Sequence, residues 1–424
     1  MEKKKNQKIL VVGSGGREHA IVKALRRSER VGKIYCAPGN AGIAEEAECV
    51  AIGPTDVKAL ADFAEANGVD LTVVGPEVAL AAGISDEFIA RGLKIFGPTK
   101  SAARIESSKE FAKRLMKKYD IPTGDYETFT DFDSAWEYVK GRPLPAVIKY
   151  DGLAAGKGVV VALSYEEAEA ALRDMLLDSA FGEGKVIVEE FLDGPEFSFM
   201  CVASGEKVYP LEIAQDHKRA FDGDKGPNTG GMGAYSPVPF ITEDIRREAL
   251  EKILLPTAAA MVKEGAPFTG VLYGGLILTK EGPKVIEFNA RFGDPETEVV
   301  LPRLKSDILD LFEAAVAGED CQLEWSEDAC LGVVLASEGY PGKYAKGAEI
   351  KGMENVKGEA CHMGTSRDPE GRLLTSGGRV LMIIGKGKDL NEARSNALAD
   401  IEKIKCDSLF HRTDIGKAVF GTEE

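Results

Sequence analysis

The segment 285–298 carries the densest set of residues that could do chemistry. Its sequence is V-I-E-F-N-A-R-F-G-D-P-E-T-E, in which apolar residues alternate with Glu287 and Asn289. This alternation predicts a strand, and Glu287 and Asn289 then project from one face of it. A carboxylate and an amide oxygen at that spacing suit Mg²⁺, which proteins hold through one or two carboxylates together with substrate phosphates.

The end of this segment is densely charged. Arg291 follows on the same face, Gly293 breaks the strand, and Asp294, Glu296 and Glu298 gather around one turn. An edge strand that runs into an acidic surface loop would give the same pattern. Because Glu, Asn, Arg and Asp within eight residues are a costly way to finish a sheet, we favour a site that holds metal, phosphate and a small charged substrate together.

Length, charge and cysteine content limit the classes of function. The 424 residues suggest roughly three domains. A total of 53 Lys and Arg against 69 Asp and Glu gives a net charge of −16, which argues against non-specific nucleic-acid binding and against docking on anionic membranes. The seven cysteines form no C-x-x-C pair, which favours reduced cytosolic thiols over disulfides or zinc. No apolar run is long enough for a signal peptide or a membrane span.

Strand and helix patterns alternate over the first hundred residues. Strands are predicted at 8–12, 33–37, 71–74 and 94–96, with helical patterns between them. Such alternation predicts a doubly wound parallel sheet. We therefore expect an N-terminal Rossmann-like domain over residues 1–105.

The first turn of that domain is rich in glycine but does not match a dinucleotide fingerprint. Glu18 stands where the third glycine is needed, and no acidic residue ends the second strand to hold a ribose. Backbone N–H groups at 13–16 and in the loop 39–42 converge at the carboxyl end of the sheet, where a small phosphate can bind. Two tight turns without a ligand explain the same residues equally well.

The middle of the chain predicts a nucleotide site. A strand ending at Lys149 leads into the glycine-rich loop 151–158, which carries Lys157, and a second strand follows at 159–162. Such a hairpin covers a triphosphate with backbone N–H groups and two ammonium groups, although it is not a Walker A motif. A flexible surface hairpin is the alternative. The connector 189–196 is able to offer adenine a backbone edge and ribose a carboxylate.

Three further patterns complete the chain. Residues 215–235 show little periodicity and predict a long functional loop, in which His217 is either a general base or a hydrogen-bonding residue. Residues 270–279 and 284–288 predict an antiparallel hairpin that presents Glu287 and Asn289. After about residue 330, short strands at 331–336, 348–351, 358–363 and 379–384 and a helix at 390–401 predict a small α+β domain. Its loop glycines are able to touch a ligand, but structural packing is the favoured role.

Six motifs closely resemble one known family. They are G-G-R-E-H at 15–19, P-G-N-A-G at 38–42, D-G-L-A-A-G-K-G-V at 151–159, D-H-K-R at 216–219, P-N-T-G-G-M-G-A-Y-S-P at 227–237 and R-F-G-D-P-E at 291–296. The family is phosphoribosylamine–glycine ligase (glycinamide ribonucleotide synthetase), of the ATP-grasp superfamily. The resemblance spans nearly the whole chain in the same order.

The resemblance implies a reaction and an architecture. ATP, glycine and 5-phosphoribosylamine would give glycinamide ribonucleotide, ADP and phosphate through glycyl phosphate, in de novo purine (IMP) synthesis. The expected domains are 1–105, an ATP-grasp domain at 106–328 with a mobile lid at about 123–192, and a C-terminal domain at 329–424. The expected partners are these small molecules, with no nucleic acid and no membrane, for a cytoplasmic monomer or weak homodimer.

The resemblance also implies site residues. The expected ligands of Mg²⁺, or of Mn²⁺ in its place, are Glu287 and Asn289. The expected ATP site comprises Lys109, Lys149, Gly152, Gly156, Lys157, Gly158, Glu189, Glu190, Phe191, Leu192 and Glu196. The expected catalytic residues on the glycine side are Asp216, Lys218, Arg291 and Asp294. The expected phosphoribosylamine site comprises Gly15, Gly16, Arg17, Glu18, Asn40, Gly42 and Glu77. A further metal carboxylate, which many ATP-grasp enzymes carry on the preceding strand, is replaced here by Gly274-Gly275.

Three other functions stay open on the residues alone. One is an ATP-grasp ligase that joins a different acid or amine. Another is an NAD(P) oxidoreductase, which Glu18 and the missing ribose acid disfavour. The third is a nucleotide-binding sensor without catalysis, which would bind ATP but never release ADP with any acid and amine.

Overall fold

A parallel sheet of five strands forms the N-terminal domain in the computed structural model, which describes residues 4–152, 158–178 and 184–417. The strands are Gln7–Gly13 (β1), Val31–Pro38 (β2), Glu48–Cys49 (β3), Leu71–Val74 (β4) and Ile95–Phe96 (β5). Their order in the sheet is β3-β2-β1-β4-β5, and every pair is parallel. The predicted doubly wound domain is therefore confirmed.

Helices connect these strands, and the second one begins and ends where the sequence predicts, whereas the single helix predicted to end at Arg91-Gly92 is two helices separated at Gly83. They are Gly16–Arg26 (α1), Val57–Asn67 (α2), Glu77–Ala81 (α3) and Ile84–Ala90 (α4). The Asp56 side chain accepts a hydrogen bond from the Ala59 N–H at the start of α2, and Gly68 ends that helix with a left-handed φ of 63°. A carboxylate N-cap and a glycine C-cap satisfy backbone groups that a helix leaves unpaired at its ends.

A separate small sheet forms the predicted lid. After helices Lys100–Ser107 (α5) and Lys109–Lys118 (α6), its strands are Tyr126–Phe129 (β6), Ala146–Tyr150 (β7), Val159–Ala162 (β8) and Val186–Glu190 (β9), with helices Phe132–Lys140 (α7) and Tyr165–Leu176 (α8) on it. The strand order is β6-β9-β7-β8. Ile148, Leu172 and Val186 belong to a hydrophobic core distinct from the two larger cores of the molecule.

Residues 196–289 add eight strands. They are Glu196–Ser204 (β10), Lys207–Pro210 (β11), Gln215–Asp216 (β12), Arg219–Phe221 (β13), Lys225–Asn228 (β14), Gly233–Ser236 (β15), Thr269–Thr279 (β16) and Gly282–Asn289 (β17). A sheet of order β11-β10-β16-β17 carries the predicted hairpin, in which β16 and β17 are antiparallel. Helices Glu243–Ala249 (α9) and Leu255–Lys263 (α10), joined by a π-helical turn, lie between β15 and β16.

The last part of the chain forms the predicted C-terminal α+β domain. Helices Thr297–Val300 (α11) and Ile308–Ala317 (α12) precede strands Ala329–Ser337 (β18), Glu359–His362 (β19), Thr365–Arg367 (β20), Leu373–Thr375 (β21), Arg379–Gly387 (β22) and Leu409–Phe410 (β23), with helix Leu390–Ile401 (α13) after β22. The strand predicted at 348–351 is wrong, because Glu349 and Lys351 form isolated bridges and no continuous ladder. No helix in the described ranges is long and apolar enough to cross a membrane.

The stretch 215–236 differs from the loop that its irregular sequence predicts. It contains β12 to β15, and β15 pairs with β18 in a sheet of order β12-β15-β18-β22-β19. Strands of two to four residues are too short to show a period of two in the sequence. The chain therefore enters the C-terminal sheet well before the C-terminal domain begins.

We predict that Leu172→Ala weakens the lid without weakening the N-terminal domain. Leu172 is fully buried in the lid core, and removing such a side chain costs about 2–5 kcal/mol. Amide hydrogen exchange should speed up in β7 and β9 and stay unchanged in β1. Leu10→Ala, at an equally buried position of β1, should give the opposite pattern. Equal acceleration everywhere in Leu172→Ala would show that the lid is not a separate cooperative unit.

Candidate active site

A cavity of about 610 Å³ lies where the N-terminal domain, the lid, the β10–β17 sheet and the C-terminal domain meet. Arg17 and Glu77 reach it from the first domain, Lys149 from the lid, Glu287 from β17 and Arg379 from β22. Residues from several of the motifs that suggested chemistry therefore face one space, although hundreds of residues separate them along the chain.

Glu287 and Asn289 both line this cavity from the end of β17. The Oδ1 atom of Asn289 accepts a hydrogen bond of 3.0 Å from Nη2 of Arg291. Among the described residues, none donates a hydrogen bond to the Glu287 carboxylate. Glu287 thus presents a carboxylate without a protein donor to the cavity, next to an amide oxygen.

The charges around Glu287 keep it ionised. Burial raises its pKa, but the nearby cations Lys218, Lys149, Lys109 and Arg291 lower it by more, so the pKa lies below the ordinary value of a glutamate. A buried carboxylate that is ionised and has no hydrogen-bond donor is a suitable ligand for a hard divalent cation.

Two lysines and one glutamate form a buried triad beside Glu287. The Nζ atom of Lys149 donates to Glu189 Oε2 at 2.9 Å and to the Ile286 carbonyl at 3.0 Å. The Nζ atom of Lys113 lies 2.9 Å from the same Glu189 oxygen, and burial lowers the pKa of Lys113. The other oxygen of Glu189 is buried without a hydrogen-bond partner in the described part of the chain. The sequence predicted Lys149 and Glu189 but missed Lys113.

The other predicted ATP contacts lie mostly around the same end of the cavity. Lys109 Nζ donates to the Gly152 carbonyl at 2.9 Å, which links α6 to the lid, and burial lowers the pKa of Lys109. The predicted residues that line this end are Gly152, Gly158, Glu189, Glu190, Phe191, Leu192 and Glu196. Gly156 and Lys157 lie outside the described residues.

Asp216 and Lys218 line the cavity on the other side of Glu287. Burial, with help from the carboxylates of Glu296 and Glu196, raises the pKa of Asp216 to about 7. Burial opposes the charge of Lys218, but nearby carboxylates, Asp216 foremost, raise its pKa well above the ordinary value. Lys218 Nζ lies 3.2 Å from Glu196 Oε2, so a predicted catalytic residue and a predicted ATP contact touch each other.

Arg291 is held in place by acidic side chains from the N-terminal part of the chain. Its Nη2 atom lies 2.9 Å from Glu106 Oε1, and its Nε atom lies 3.5 Å from Glu77 Oε2. Glu106 also accepts a hydrogen bond of 2.8 Å from the Ala290 N–H. Glu106 ends α5 and carries no signal in the sequence, because its role depends on how α5 packs on β17.

A further carboxylate, Glu296, lines the cavity within a hydrogen-bonded group. Its Oε1 atom accepts from Ser198 Oγ and from the Tyr273 hydroxyl, each at 2.8 Å. Tyr273 stands on β16, directly before the Gly274-Gly275 pair. The sequence identified the acidic turn but not these two partners.

Glu18 has a structural position that excludes a dinucleotide. Its carboxylate accepts hydrogen bonds of 2.6 Å from the Gly15 N–H and from Arg17 Nε. A Cβ added at Gly75 would lie 1.9 Å from Glu18 Oε1, and one at Gly13 would lie 2.5 Å from the same side chain. Glu18 therefore fills the carboxyl end of the sheet between β1 and β4, where a pyrophosphate would have to lie.

Asn40 braces the loops of the N-terminal domain. Its Nδ2 atom donates to the carbonyls of Ser14 and His362 at 2.8 and 2.7 Å, and its Oδ1 atom accepts from the N–H groups of Gly42 and Ile43 at 2.9 Å each. The hydrogen-bonding capacity of the amide is then satisfied. Of the predicted phosphoribosylamine residues, Arg17 and Glu77 line the cavity, whereas the structure does not bring the following ones to its wall: Gly15, Gly16, Glu18, Asn40 and Gly42.

The C-terminal domain contributes Tyr340 and Arg379 to the cavity wall, so the favoured interpretation of this domain as structural packing is wrong. Arg379 Nη2 lies 2.9 Å from Asp294 Oδ1, and its Nη1 donates to the Gly230 carbonyl at 2.7 Å. The Tyr340 hydroxyl accepts a hydrogen bond of 3.1 Å from the Gly230 N–H. Asp294 is thus paired already with a cation. Both C-terminal residues follow or flank glycine turns, which was the one weak signal for them.

His217 does not line the cavity, and the geometry gives it no role as a general base. Its Nε2 atom accepts a hydrogen bond of 3.3 Å from the Gly416 N–H near the end of the described chain. Burial lowers the pKa of His217 to about 4. Of its two predicted roles, the hydrogen-bonding one is the one that the structure supports.

Family models match the chain in three consecutive pieces. The phosphoribosylglycinamide synthetase N domain matches residues 7–106, the ATP-grasp (A) domain matches 107–297, and the C domain matches 330–418. Together these models cover most of the chain.

Named relatives and solved structures agree with the family models. The chain is 55% identical over 412 residues to a phosphoribosylamine–glycine ligase of Halalkalibacterium halodurans, covering 96% of each, and 50% identical over 419 residues to that of Salmonella typhimurium, covering 96% of this chain and 98% of the relative. The crystal structure of the Thermotoga maritima phosphoribosylamine–glycine ligase superimposes with a TM-score of 0.86 at 34% identity, covering 96% of this chain and 100% of that one. A biotin carboxylase domain of Hydrogenobacter thermophilus shares the fold, with a TM-score of 0.73 at 16% identity over 96% of this chain and 92% of that one.

We predict that Lys113→Met lowers the free energy of unfolding by about 3 kcal/mol, because it leaves buried Glu189 with one cation instead of two. Adding Glu189→Gln should not recover this loss, since buried Lys149 then loses the carboxylate with which it pairs. Lys117→Met, an exposed change on the same helix, is the control and should shift stability by no more than about 0.5 kcal/mol. Urea unfolding gives the free energy of unfolding of the wild type, Lys113→Met, the double variant and Lys117→Met. A double variant that is more stable than Lys113→Met would contradict the triad.

Proposed function

The chain belongs to the phosphoribosylglycinamide synthetase family, and we propose that its 610 Å³ cavity is the active site of the family reaction. It is an ATP-dependent carbon–nitrogen ligase of purine biosynthesis. It joins glycine to 5-phosphoribosylamine and forms glycinamide ribonucleotide, ADP and phosphate. The proposal concerns how this chain's own residues divide that work.

One observation carries the proposal: Glu287 lies near four cations that come from different parts of the chain. Lys109 and Lys149 come from α6 and β7, whereas Lys218 and Arg291 follow β12 and β17. A phosphoryl group that moves from ATP to a carboxylate passes between two anions. Fixed positive charge on both sides of its path is therefore the main requirement of such a transfer.

The chemistry proceeds through an activated acid. The carboxylate of glycine is a poor electrophile, so its oxygen attacks the γ-phosphorus of ATP, which releases ADP and gives glycyl phosphate. The amine of phosphoribosylamine then attacks the carbonyl carbon, the carbon–oxygen bond to phosphate breaks, and the amine loses a proton. The lid keeps water away from the acyl phosphate between these two steps.

The nucleotide binds between the lid and the β10–β17 sheet in this proposal. Lys149 and Lys109 face the phosphates, and no described residue accepts a hydrogen bond from the Leu192 N–H, which leaves it available to the adenine edge. Glu196 is placed for the ribose, although its contact with Lys218 shows that it also faces the reaction centre.

Glu287 and Asn289 would hold a magnesium ion, with manganese as a substitute. The fit rests on the ionised Glu287 carboxylate and on its lack of a protein donor among the described residues. Asn289 adds a neutral oxygen that it shares with Arg291. A bound divalent cation supplies charge neutralisation to the phosphates of ATP.

Glycine and phosphoribosylamine occupy the remaining part of the cavity. We place the glycine carboxylate near Arg291 and its ammonium near Asp216, because a guanidinium pairs well with a carboxylate and no described cation lies at hydrogen-bond distance from the Asp216 carboxylate. Arg17 and Glu77 line the phosphoribosylamine end, and Arg379 adds a second cation there. The predicted contacts from Gly15, Gly16, Glu18, Asn40 and Gly42 remain predictions.

We also propose that the enzyme works in the cytoplasm as a monomer or weak homodimer, and that its partners are small molecules. The support is the net charge of −16 and the seven cysteines, all of which carry free thiols. Reduced thiols are typical of cytosolic proteins, and a strongly acidic surface disfavours nucleic acids and anionic membranes.

The experiment that tests the proposed function is ADP release with each substrate singly and together. Glycine with phosphoribosylamine should give rapid ADP release and glycinamide ribonucleotide, whereas either alone should give little. Other amino acids and amines serve as controls for a different ligase. ADP release at the full rate with glycine alone, or with no acid at all, would contradict the division of substrates.

We predict that Glu287→Gln lowers turnover by at least on the order of 100-fold, because it removes the charge that would hold the metal and balance the surrounding cations. Mn²⁺ binding in the presence of ATP, followed by electron paramagnetic resonance, should weaken in parallel. Glu281→Gln, in the exposed turn of the same hairpin, is the control and should retain both properties. A folded Glu287→Gln protein with normal turnover at saturating Mg²⁺ would refute the metal assignment.

A further inference from the structure

Glu298 is a buried acid that the proposed mechanism does not use. It lies in α11 with 0% of its surface exposed, and neither carboxyl oxygen has a hydrogen-bond partner among the described residues. An ionised carboxylate without a donor is very costly in such a place. The geometry by itself therefore favours a neutral carboxyl group.

Glu298 packs against the start of α1. A Cβ added at Gly16 would lie 2.4 Å from Glu298 Oε1, and a Cβ added at Gly15 would lie 3.3 Å from Asp294 Oδ2. The two acidic side chains thus approach consecutive glycines at the first turn of one helix. Asp294 also accepts a hydrogen bond of 3.4 Å from the Arg17 N–H and pairs with Arg379.

We propose that Glu298 carries a proton in the working enzyme and acts as a positioning residue for Asp294. The neutral Glu298 leaves Asp294 as the single negative charge that the α1 N-terminus and Arg379 share. Asp294 then fixes Arg17 and Arg379 at the cavity wall. The kinetic part of this inference rests on the proposed function, because it assigns this end of the cavity to phosphoribosylamine.

The charges around Glu298 favour its protonated form. Burial raises its pKa first, the neighbouring Asp294 raises it further, and Arg379 opposes the rise without cancelling it. The charged and titratable side chains on its own segment and on the elements packed against it are Asp294, Glu296, Arg17, Glu18, His19, Lys23, Arg26, Tyr235, Arg303, Cys330, Cys361, Arg379 and Lys386. Arg17 is paired with Glu18, Lys23 with Glu46, Arg303 with Glu212 and Lys386 with Glu359, and Arg26 is exposed in the last turn of α1, far from its start. Arg379 is therefore the cation that Asp294 and Glu298 share.

Loss of the proton would change the wall of the cavity. Two neighbouring carboxylates would then repel each other and compete for Arg379 and for the first turn of α1. Asp294 and the Arg17 loop would shift, whereas Lys109 and Lys149 at the nucleotide end would not. The KM for phosphoribosylamine should therefore rise on the alkaline side while the KM for ATP stays constant.

The first arm of the test is stability against pH for the wild type and Glu298→Gln, a neutral change of the same shape. A folded state that holds a proton which the unfolded chain releases above about pH 4.3 loses relative stability as pH rises. The folding equilibrium constant of the wild type should fall about tenfold per pH unit relative to Glu298→Gln, from about pH 5 up to the pKa of Glu298 in the folded state. Parallel curves would overturn the proposal.

An infrared difference spectrum gives a second readout without unfolding. The wild type minus Glu298→Gln should show the carbonyl stretch of a neutral carboxyl group at pH 7. Its absence would overturn the protonated state of Glu298. Glu338→Gln, which changes an exposed glutamate at the end of β18, is the control and should leave this band in place.

The kinetic arm tests the positioning role. The alkaline rise in KM for phosphoribosylamine should be present in the wild type and in Glu338→Gln, and absent in Glu298→Gln. The same alkaline rise in all three proteins would overturn the positioning role. A wild type that makes no ADP with glycine and phosphoribosylamine would refute the proposed function instead. The stability and infrared measurements would still decide whether Glu298 is protonated.

Discussion

Charge inside a protein must be matched by opposite charge, and this constraint organises the cavity. Two lysines from different elements, Lys113 and Lys149, meet one oxygen of Glu189, and Arg291 meets the carboxylate of Glu106. Each pair loses hydration on burial, and its mutual attraction offsets that loss only when the geometry is good. The exception is Glu287, which faces several cations without a hydrogen-bond donor in the described chain. That imbalance is what makes it suitable for a divalent cation.

The same matching ties the domains to one another. Asp294 follows the last strand of the β10–β17 sheet. Its carboxylate accepts a hydrogen bond from the first turn of α1 and pairs with Arg379 of β22. The strand β15 also connects the domains. It lies in the middle of the chain but pairs with β18 of the C-terminal sheet. The C-terminal domain is therefore part of the cavity wall and not an appendage. The predicted lid has a hydrophobic core of its own.

Local patterns in the sequence determined much of the fold and the centre of the site. Strand and helix alternation predicted the parallel sheet, and Asp56 and Gly68 marked the ends of one helix correctly. The hairpin of β16 and β17 and its presentation of Glu287 and Asn289 also followed from alternation alone. These features depend on residues within a few positions of each other. Their physical causes, capping and the period of a strand, are therefore readable without the rest of the chain.

The tertiary structure decided everything that depends on contacts between distant segments. Lys113, Glu106 and Arg379 reach the cavity only because α5, α6 and β22 pack where they do, and none of them stands in a distinctive local pattern. Asn40 lies in a family motif, yet its amide forms hydrogen bonds with the backbone of the N-terminal loops and of the C-terminal domain. A sequence identifies which side chains could act, because chemistry resides in residue types. Which of them face a common space is set by packing across hundreds of residues, which no local period encodes.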